Sequence, residues 1–151
     1  MNVQRAITPA ITIGDQPSAA DLEALKSDGY VGVVNLRNDG EPEQPLGTAA
    51  EGEHVRAVGM DYLHYGVGGA PLSQSGVKSV CDFLDRHADG KVMVHCRKGG
   101  RAAALVLLHQ AKAQGWKPEE ALAKGKAMGL EVEGNLRIMV EQYLNQHAGR
   151  G

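Results

Sequence analysis

Residues 91–110, "KVMVHCRKGGRAAALVLLHQ", decide how this 151-residue chain is read. Val92, Met93 and Val94 form a continuous apolar run, the pattern of a strand covered on both faces. His95 and Cys96 end the run, and the basic glycine loop "RKGGR" follows. After it comes an alanine-rich segment that is apolar nearly all round, which predicts a central, buried helix. In open α/β sheets, the loop at the carboxyl end of a strand that feeds a helix is where sites are built. Four residues separate Cys96 from Arg101 inside that loop.

On either side of this unit, short β-rich runs alternate with helical patterns, which predicts an α/β fold. Candidate strands are residues 10–13, 31–36, 61–67 and 91–95, giving a central, mainly parallel sheet of four to five strands flanked by helices. The first helix has Ser18 as N-cap, Asp21 three residues on, Leu22 and Leu25 as an apolar stripe, and Gly29 as its stop. Residues 45–59 read as a weaker helix because Gly47 and Gly52 lower its propensity. Residues 73–90 place Val77, Val80, Cys81 and Leu84 on one face, with Gly90 as terminator. Pro118 suits the first turn of a further helix, and residues 133–146 form a last amphipathic one. With no repeat, low-complexity tract or long linker, residues 1–151 are expected to form a single domain.

Bulk properties narrow the classes. Hydrophobic residues make up 42% and charged residues 23%, ordinary values for a globular protein. A net charge of −2 offers no field to recruit nucleic acid or an anionic membrane, so neither is an expected partner. The amino-terminal residues lack a signal-peptide core, and no run reaches transmembrane length. Two cysteines, Cys81 and Cys96, provide neither a disulfide framework nor a metal knuckle. The expected location is the reducing cytoplasm, and no metal or organic cofactor is implied.

The loop itself carries chemistry. Gly99 and Gly100 let the backbone curl with positive φ and approach a ligand closely. Amide N–H groups of Arg97, Lys98, Gly99 and Gly100 can then point inward at the positive end of the following helix. Arg101 adds a planar fork of donors for an oxyanion, and Arg97 and Lys98 add positive charge. The same surroundings favour a thiolate at Cys96 over the free thiol, whose pKa is about 8.5. Cys96 is therefore the expected nucleophile, and Cys81, on an apolar helix face, a core residue.

The run "VHC" followed by a glycine loop and an arginine resembles the cysteine-dependent phosphatases, whose signature is Cys-x5-Arg followed by Ser or Thr. "VVNLR" at residues 33–37 adds to the likeness. The segments "IGDQPSAADLEAL", "NLRNDGEPEQP" and "CRKGGRAAAL" resemble the small bacterial phosphatase-like domain found alone or fused to β-lactamase-like hydrolases, over residues 5–115. This resemblance implies a dual-specificity-phosphatase-like fold, a cysteine nucleophile at Cys96 and an anion-binding Arg101. It also implies that His95 orients the loop; Asn35 and Arg37, at the end of the second strand, are expected to support the site or hold a substrate.

Three features depart from the phosphatase signature. The Cys96–Arg101 loop is one residue shorter and matches the rhodanese form Cys-Arg-x-Gly-x-Arg at Cys96, Arg97, Gly99 and Arg101. No Asp or Glu occurs in "YGVGGAPLSQSG", where the phosphatases carry their general acid, and Asp61 reads as a solvated strand entry. Lacking the acid forfeits about 10²–10⁴-fold for an alkoxide leaving group, whereas sulfite leaves thiosulfate as a stable anion. Third, Ala102 stands where phosphatases place a hydroxyl. The expectation is a thiosulfate sulfurtransferase: Cys96 takes the sulfane sulfur, sulfite leaves, and the persulfide passes sulfur to a thiol acceptor or cyanide. A phosphatase acting on phosphate esters is the alternative, and a catalytically silent oxyanion-binding module the third reading. Glu41, Glu43 and Gln44 are expected to line a loop without catalytic part. His54, His64, His87, His109 and His147 show no ligand spacing.

Overall fold

The computed structural model describes residues 1–147. In chain order its elements are β1 (Gln4–Thr8), β2 (Ile11–Gly14), α1 (Ala19–Ser27), β3 (Tyr30–Asn35), α2 (Thr48–Ala57) and β4 (Asp61–His64). They continue with α3 (Gln74–Arg86), β5 (Lys91–His95), α4 (Gly100–Gln114), α5 (Pro118–Ala127) and α6 (Gly134–His147). The five strands form one sheet in the order β1-β2-β5-β3-β4, parallel except for the antiparallel β1–β2 pair. No helix among the described residues is long and apolar enough to cross a membrane.

β5 lies in the middle of the sheet, which explains its unbroken apolar run. Val92 and Val94 pack into one core with Leu105 and Val106 of α4, while Met93 packs into the other with Leu22 and Leu25 of α1. β3 divides in the same way, Val34 to one side and Val33 to the other. α4 is buried from Ala102 through Ala111 and is the central helix of its layer. The α1 terminus follows the sequence closely: Ser18 and Asp21 form a reciprocal capping box, and Gly29 has φ +91°.

Four expectations are corrected. β1 carried no sequence signal because it is an exposed edge strand without apolar alternation, joined to β2 by a short Pro9–Ala10 turn. The adjacent strand spans Ile11–Gly14 rather than residues 10–13. β4 ends at His64, after which Tyr65 and Val67 still donate backbone hydrogen bonds to Asn35 and Leu36 as an irregular extension. Gly90 does not stop α3, whose C-cap is His87; its lack of a side chain instead clears Val31, which an added Cβ would meet at 2.6 Å.

Gly52 weakens α2 as a helix yet has a packing reason. A Cβ there would lie 2.9 Å from the Tyr62 ring, and that close approach lets the Tyr62 hydroxyl donate to the Thr48 carbonyl at 2.8 Å. The α2 terminus has no side-chain cap of its own. Asp39 in the preceding loop accepts instead from the Thr48 amide at 2.8 Å and the Thr48 hydroxyl at 3.1 Å.

Gly32 in β3 meets a tight core constraint. A Cβ at that position would lie 2.8 Å from the Phe83 ring, which is buried and has nowhere to move. Gly32→Ala should therefore lower stability by about 1–3 kcal/mol through overpacking. Urea denaturation of the two proteins measures it; an unchanged midpoint would mean that Phe83 yields.

Candidate active site

The chain leaves β5 under tight control. The His95 carbonyl accepts from Leu36 N at 3.0 Å, and Cys96 N donates to the Gly14 carbonyl at 3.3 Å, so the loop opens between the ends of β3 and β2. β5 is inserted between these two strands, making this the crevice at a switch point of the sheet. Cys96 is 1% exposed, and its Sγ accepts the Gly99 amide at 3.0 Å. Gly99 is the N-cap of α4 with φ +104°, a conformation that favours glycine. Gly100, expected to share that freedom, instead opens the helix. The sulfur thus sits at the positive end of a 15-residue helix, facing its first amides.

Arg101 lies on the first turn of α4, and its guanidinium is already braced. Nη1 lies 2.8 Å and Nη2 2.7 Å from the two oxygens of Glu41, and Nη1 also donates to the Val67 carbonyl at 3.0 Å. The contact with Glu41 is the main cause of a raised Arg101 pKa, with the Cys96 charge adding to it. Among the described residues Nε–H carries no partner, which leaves one donor of the fork uncommitted.

Arg37 is fully buried, and four of its five N–H donors end on the chain. Nε donates to Glu41 at 3.0 Å, Nη1 to Gln16 at 2.8 Å and to the Glu43 carbonyl at 2.9 Å, and Nη2 to the Pro42 carbonyl. The loop 38–45 is wrapped around this cation, and the wrapping holds Glu43 at φ +56°. The guanidinium serves as a brace and is not placed to hold substrate. Asn35 supports the same corner, accepting from Arg37 N at 2.9 Å and donating to Tyr62 Oη at 3.0 Å.

The remaining loop cations differ in their surroundings. Arg97 donates to Glu43 at 2.6 Å, while exposed Lys98 makes no ion pair among the described residues. His95 is fully buried; its Nε2 lies 2.6 Å from Glu51 of α2 and its Nδ1 3.4 Å from the Cys96 carbonyl. The structure brings Cys96, Arg97, Lys98, Gly99, Gly100, Arg101, His95, Asn35 and Arg37 to one end of the sheet. It adds Gln16 and Glu51, which the sequence reading did not single out, and Glu41, which was expected only to line a loop.

Two of these left a trace in the sequence. Thr48, Glu51, Gly52 and Val55 are the buried positions of α2, so Glu51 is an acid on a helix's inward stripe. Glu41 stands four residues after Arg37, opposite the cluster "RKGGR". Gln16 carried no signal.

The Arg101 hydrogen bond, helped by the Asn38 amide and Arg37, holds the Glu41 carboxyl down at about 2. At neutral pH it is ionised and has no proton to donate. The segment that follows β4 contains no acid before Asp82, so no side chain is placed as a general acid there. Cys81 lies in the core between α3 and α4, and burial pushes its thiol up to about 11.

The depressed Glu41 value fixes a sign. The folded value lies below the ordinary 4.5, so the ionised contact stabilises the fold above about pH 4.5. That contribution fades as pH falls through about 2. Glu41→Gln should be less stable than the native protein at neutral pH, with the gap closing in acid. Urea titrations at a series of pH values measure the gap, and a pH-independent one would show that the charge is not used.

Comparison with known proteins agrees with this geometry. Residues 3–113 match the family "Beta-lactamase hydrolase-like protein, phosphatase-like domain". A beta-lactamase hydrolase-like protein of Agrobacterium fabrum is 35% identical over 106 residues, covering 70% of this chain and 24% of its own length. One from Xylella fastidiosa is 31% identical over 127 residues, 83% of this chain and 29% of its own. The chain thus spans less than a third of the curated relatives it matches. Among solved structures, a DUF442 phosphatase of Shewanella putrefaciens superposes with TM-score 0.75 at 25% identity, covering 97% of this chain and 89% of the other. The protein tyrosine phosphatase Tk-PTP superposes with TM-score 0.76 at 19% identity, over 96% and 97%, and shares the fold. These likenesses support the phosphatase-like alternative and lend nothing to the rhodanese-type sulfur transfer expected from loop length. With its thiol on an α4 amide and Arg101 braced behind it, the chain belongs to the phosphatase-like domain family of beta-lactamase hydrolase-like proteins.

Proposed function

We propose that the protein is a cysteine-dependent phosphatase acting on phosphate monoesters whose leaving groups are stable as anions. The observation that carries this reading is the position of Cys96 Sγ, 3.0 Å from the Gly99 amide at the head of α4, with Arg101 on the next turn. The thiolate attacks phosphorus, the bond from phosphorus to the leaving oxygen breaks, and the phosphoryl group rests on sulfur. Loop amides and the uncommitted Arg101 donor balance the charge on the equatorial oxygens. Water then attacks phosphorus, phosphate leaves, and the thiolate is restored. PTPMT1, which shares the fold with TM-score 0.77 at 16% identity, is known in complex with PI(5)P, consistent with a phosphate-ester class.

The restriction on leaving group follows from the acid. Glu41 is committed to two arginines as a carboxylate, and Ala102 adds no hydroxyl beside the sulfur. An alkoxide must leave unprotonated, at a cost of about 10²–10⁴-fold, whereas a phenolate with electron-withdrawing groups leaves freely. Substrates of the aryl phosphate type are therefore favoured.

One observation supports a second reading. Cys96–Arg101 is a six-residue loop of the form Cys-Arg-x-Gly-x-Arg, and a smaller cradle suits a persulfide better than a phosphoryl group. Thiosulfate with cyanide, para-nitrophenyl phosphate and an alkyl phosphate, assayed in parallel, separate the readings. The expected result is aryl phosphate turnover at least about 10²-fold above alkyl phosphate turnover, abolished in Cys96→Ser. Thiocyanate formation without phosphate release would transfer the assignment to sulfur. Neither activity, with sulfate bound at the loop, would leave an oxyanion-binding module.

A further inference from the structure

His95 and Glu51 face each other on the side of the sheet opposite the Cys96 thiol. Both side chains are fully buried, and His95 Nε2 lies 2.6 Å from Glu51 Oε2. The other oxygen of Glu51 accepts from Gln16 Nε2 at 2.9 Å. Gln16 in turn accepts from Arg37 at 2.8 Å, so both carboxylate oxygens are matched and the pair is tied to the brace of the loop 38–45. A carboxylate is costly to remove from water, and one that stays buried must be compensated by its neighbours.

A pair of this kind could serve packing alone. Its other end argues for more. Both ring nitrogens of His95 face oxygen: Nε2 the Glu51 carboxylate, and Nδ1 the carbonyl of Cys96 at 3.4 Å. A carbonyl only accepts, so Nδ1 carries a hydrogen if that contact is used, and a second proton lies between Nε2 and Oε2. Which ring nitrogen is protonated is set by the partner of the other, and an anionic partner on Nε2 favours a hydrogen on both.

We propose that Glu51 is a positioning residue for the Cys96 nucleophile: its carboxylate holds a proton on His95 Nε2 while Nδ1–H pins the Cys96 carbonyl. The ring is thereby held in one orientation at the position preceding Cys96. Asn35 and Tyr62 flank this corner without contacting the ring nitrogens, and Arg37 reaches it only through Gln16. The proposal rests on Cys96 being the reactive thiol and applies equally to phosphoryl and sulfur chemistry.

Two measurements on the full chain test it. The first is nitrogen-15 NMR of the native protein, in which both His95 ring nitrogens should carry slowly exchanging protons. A bare Nε2 would overturn the proposal whether or not any variant folds. The second is iodoacetamide labelling of Cys96 relative to Cys81 in the same sample, read by peptide mass mapping. In Glu51→Gln, which keeps size but loses the charge, the ratio should fall about tenfold, the order of effect seen when a working histidine at a metal site loses its carboxylate partner. An unchanged ratio in a folded variant would also overturn the proposal. If Cys96 labels no faster than Cys81 in the native protein, the nucleophile assignment itself fails, a result distinct from the failure of Glu51.

Discussion

One carboxylate shared between two guanidinium groups organises the mouth of this site. Glu41 accepts from Arg101 on α4 and from Arg37 after β3, joining the first turn of α4 to the loop 38–45. Arg37 is fully buried, and an unmatched guanidinium there would be prohibitive, so the loop must bring acceptors to it. It supplies Glu41 and the carbonyls of Pro42 and Glu43, and tolerates a left-handed Glu43 to do so. The same ionised carboxylate is thereby barred from giving up a proton, so the brace shapes the chemistry as well as the structure.

The sheet supplies the other constraint. Strand pleating sends Val92, Val94 and Cys96 to one face and Met93 and His95 to the other. The thiol therefore faces the α4 amides, while the imidazole reaches back to α2, where Glu51 meets it. Helix and sheet thus bear on the Cys96 position from two sides. Because β5 lies between β2 and β3, loop segments from both neighbours, carrying Gln16 and Arg37, arrive at its end.

The family is phosphatase-like, and under the proposed reading the absence of an acid in the segment after β4 favours substrates that need little help to leave. These two indications are compatible. A thiolate in a short cradle can work on an activated ester without a proton donor, and the cost appears only with poor leaving groups. The curated relatives are three to four times longer than the stretch this chain matches, so their wider activities belong to more polypeptide than is described by this fold.

The sequence by itself determined the fold class, four of the five strands to within a few residues, the α1 capping box, and the loop from Cys96 to Arg101. Each of these is a local matter of apolar runs, caps and glycines, legible within a window of about twenty residues. Edge strand β1 was not legible, since its stability comes from pairing with β2 rather than from its own pattern. Only the tertiary structure decided that Gly99, and not Gly100, is the left-handed one of the two loop glycines, that Arg37 braces the loop 38–45, and that Glu41, Gln16 and Glu51 gather beside Arg101, Arg37 and His95. Glu41 and Arg101 are sixty residues apart in sequence, and Glu51 and His95 forty-four. Such pairings exist only after the sheet has ordered its strands, because an ion pair carries no trace in either segment until burial makes each charge require the other.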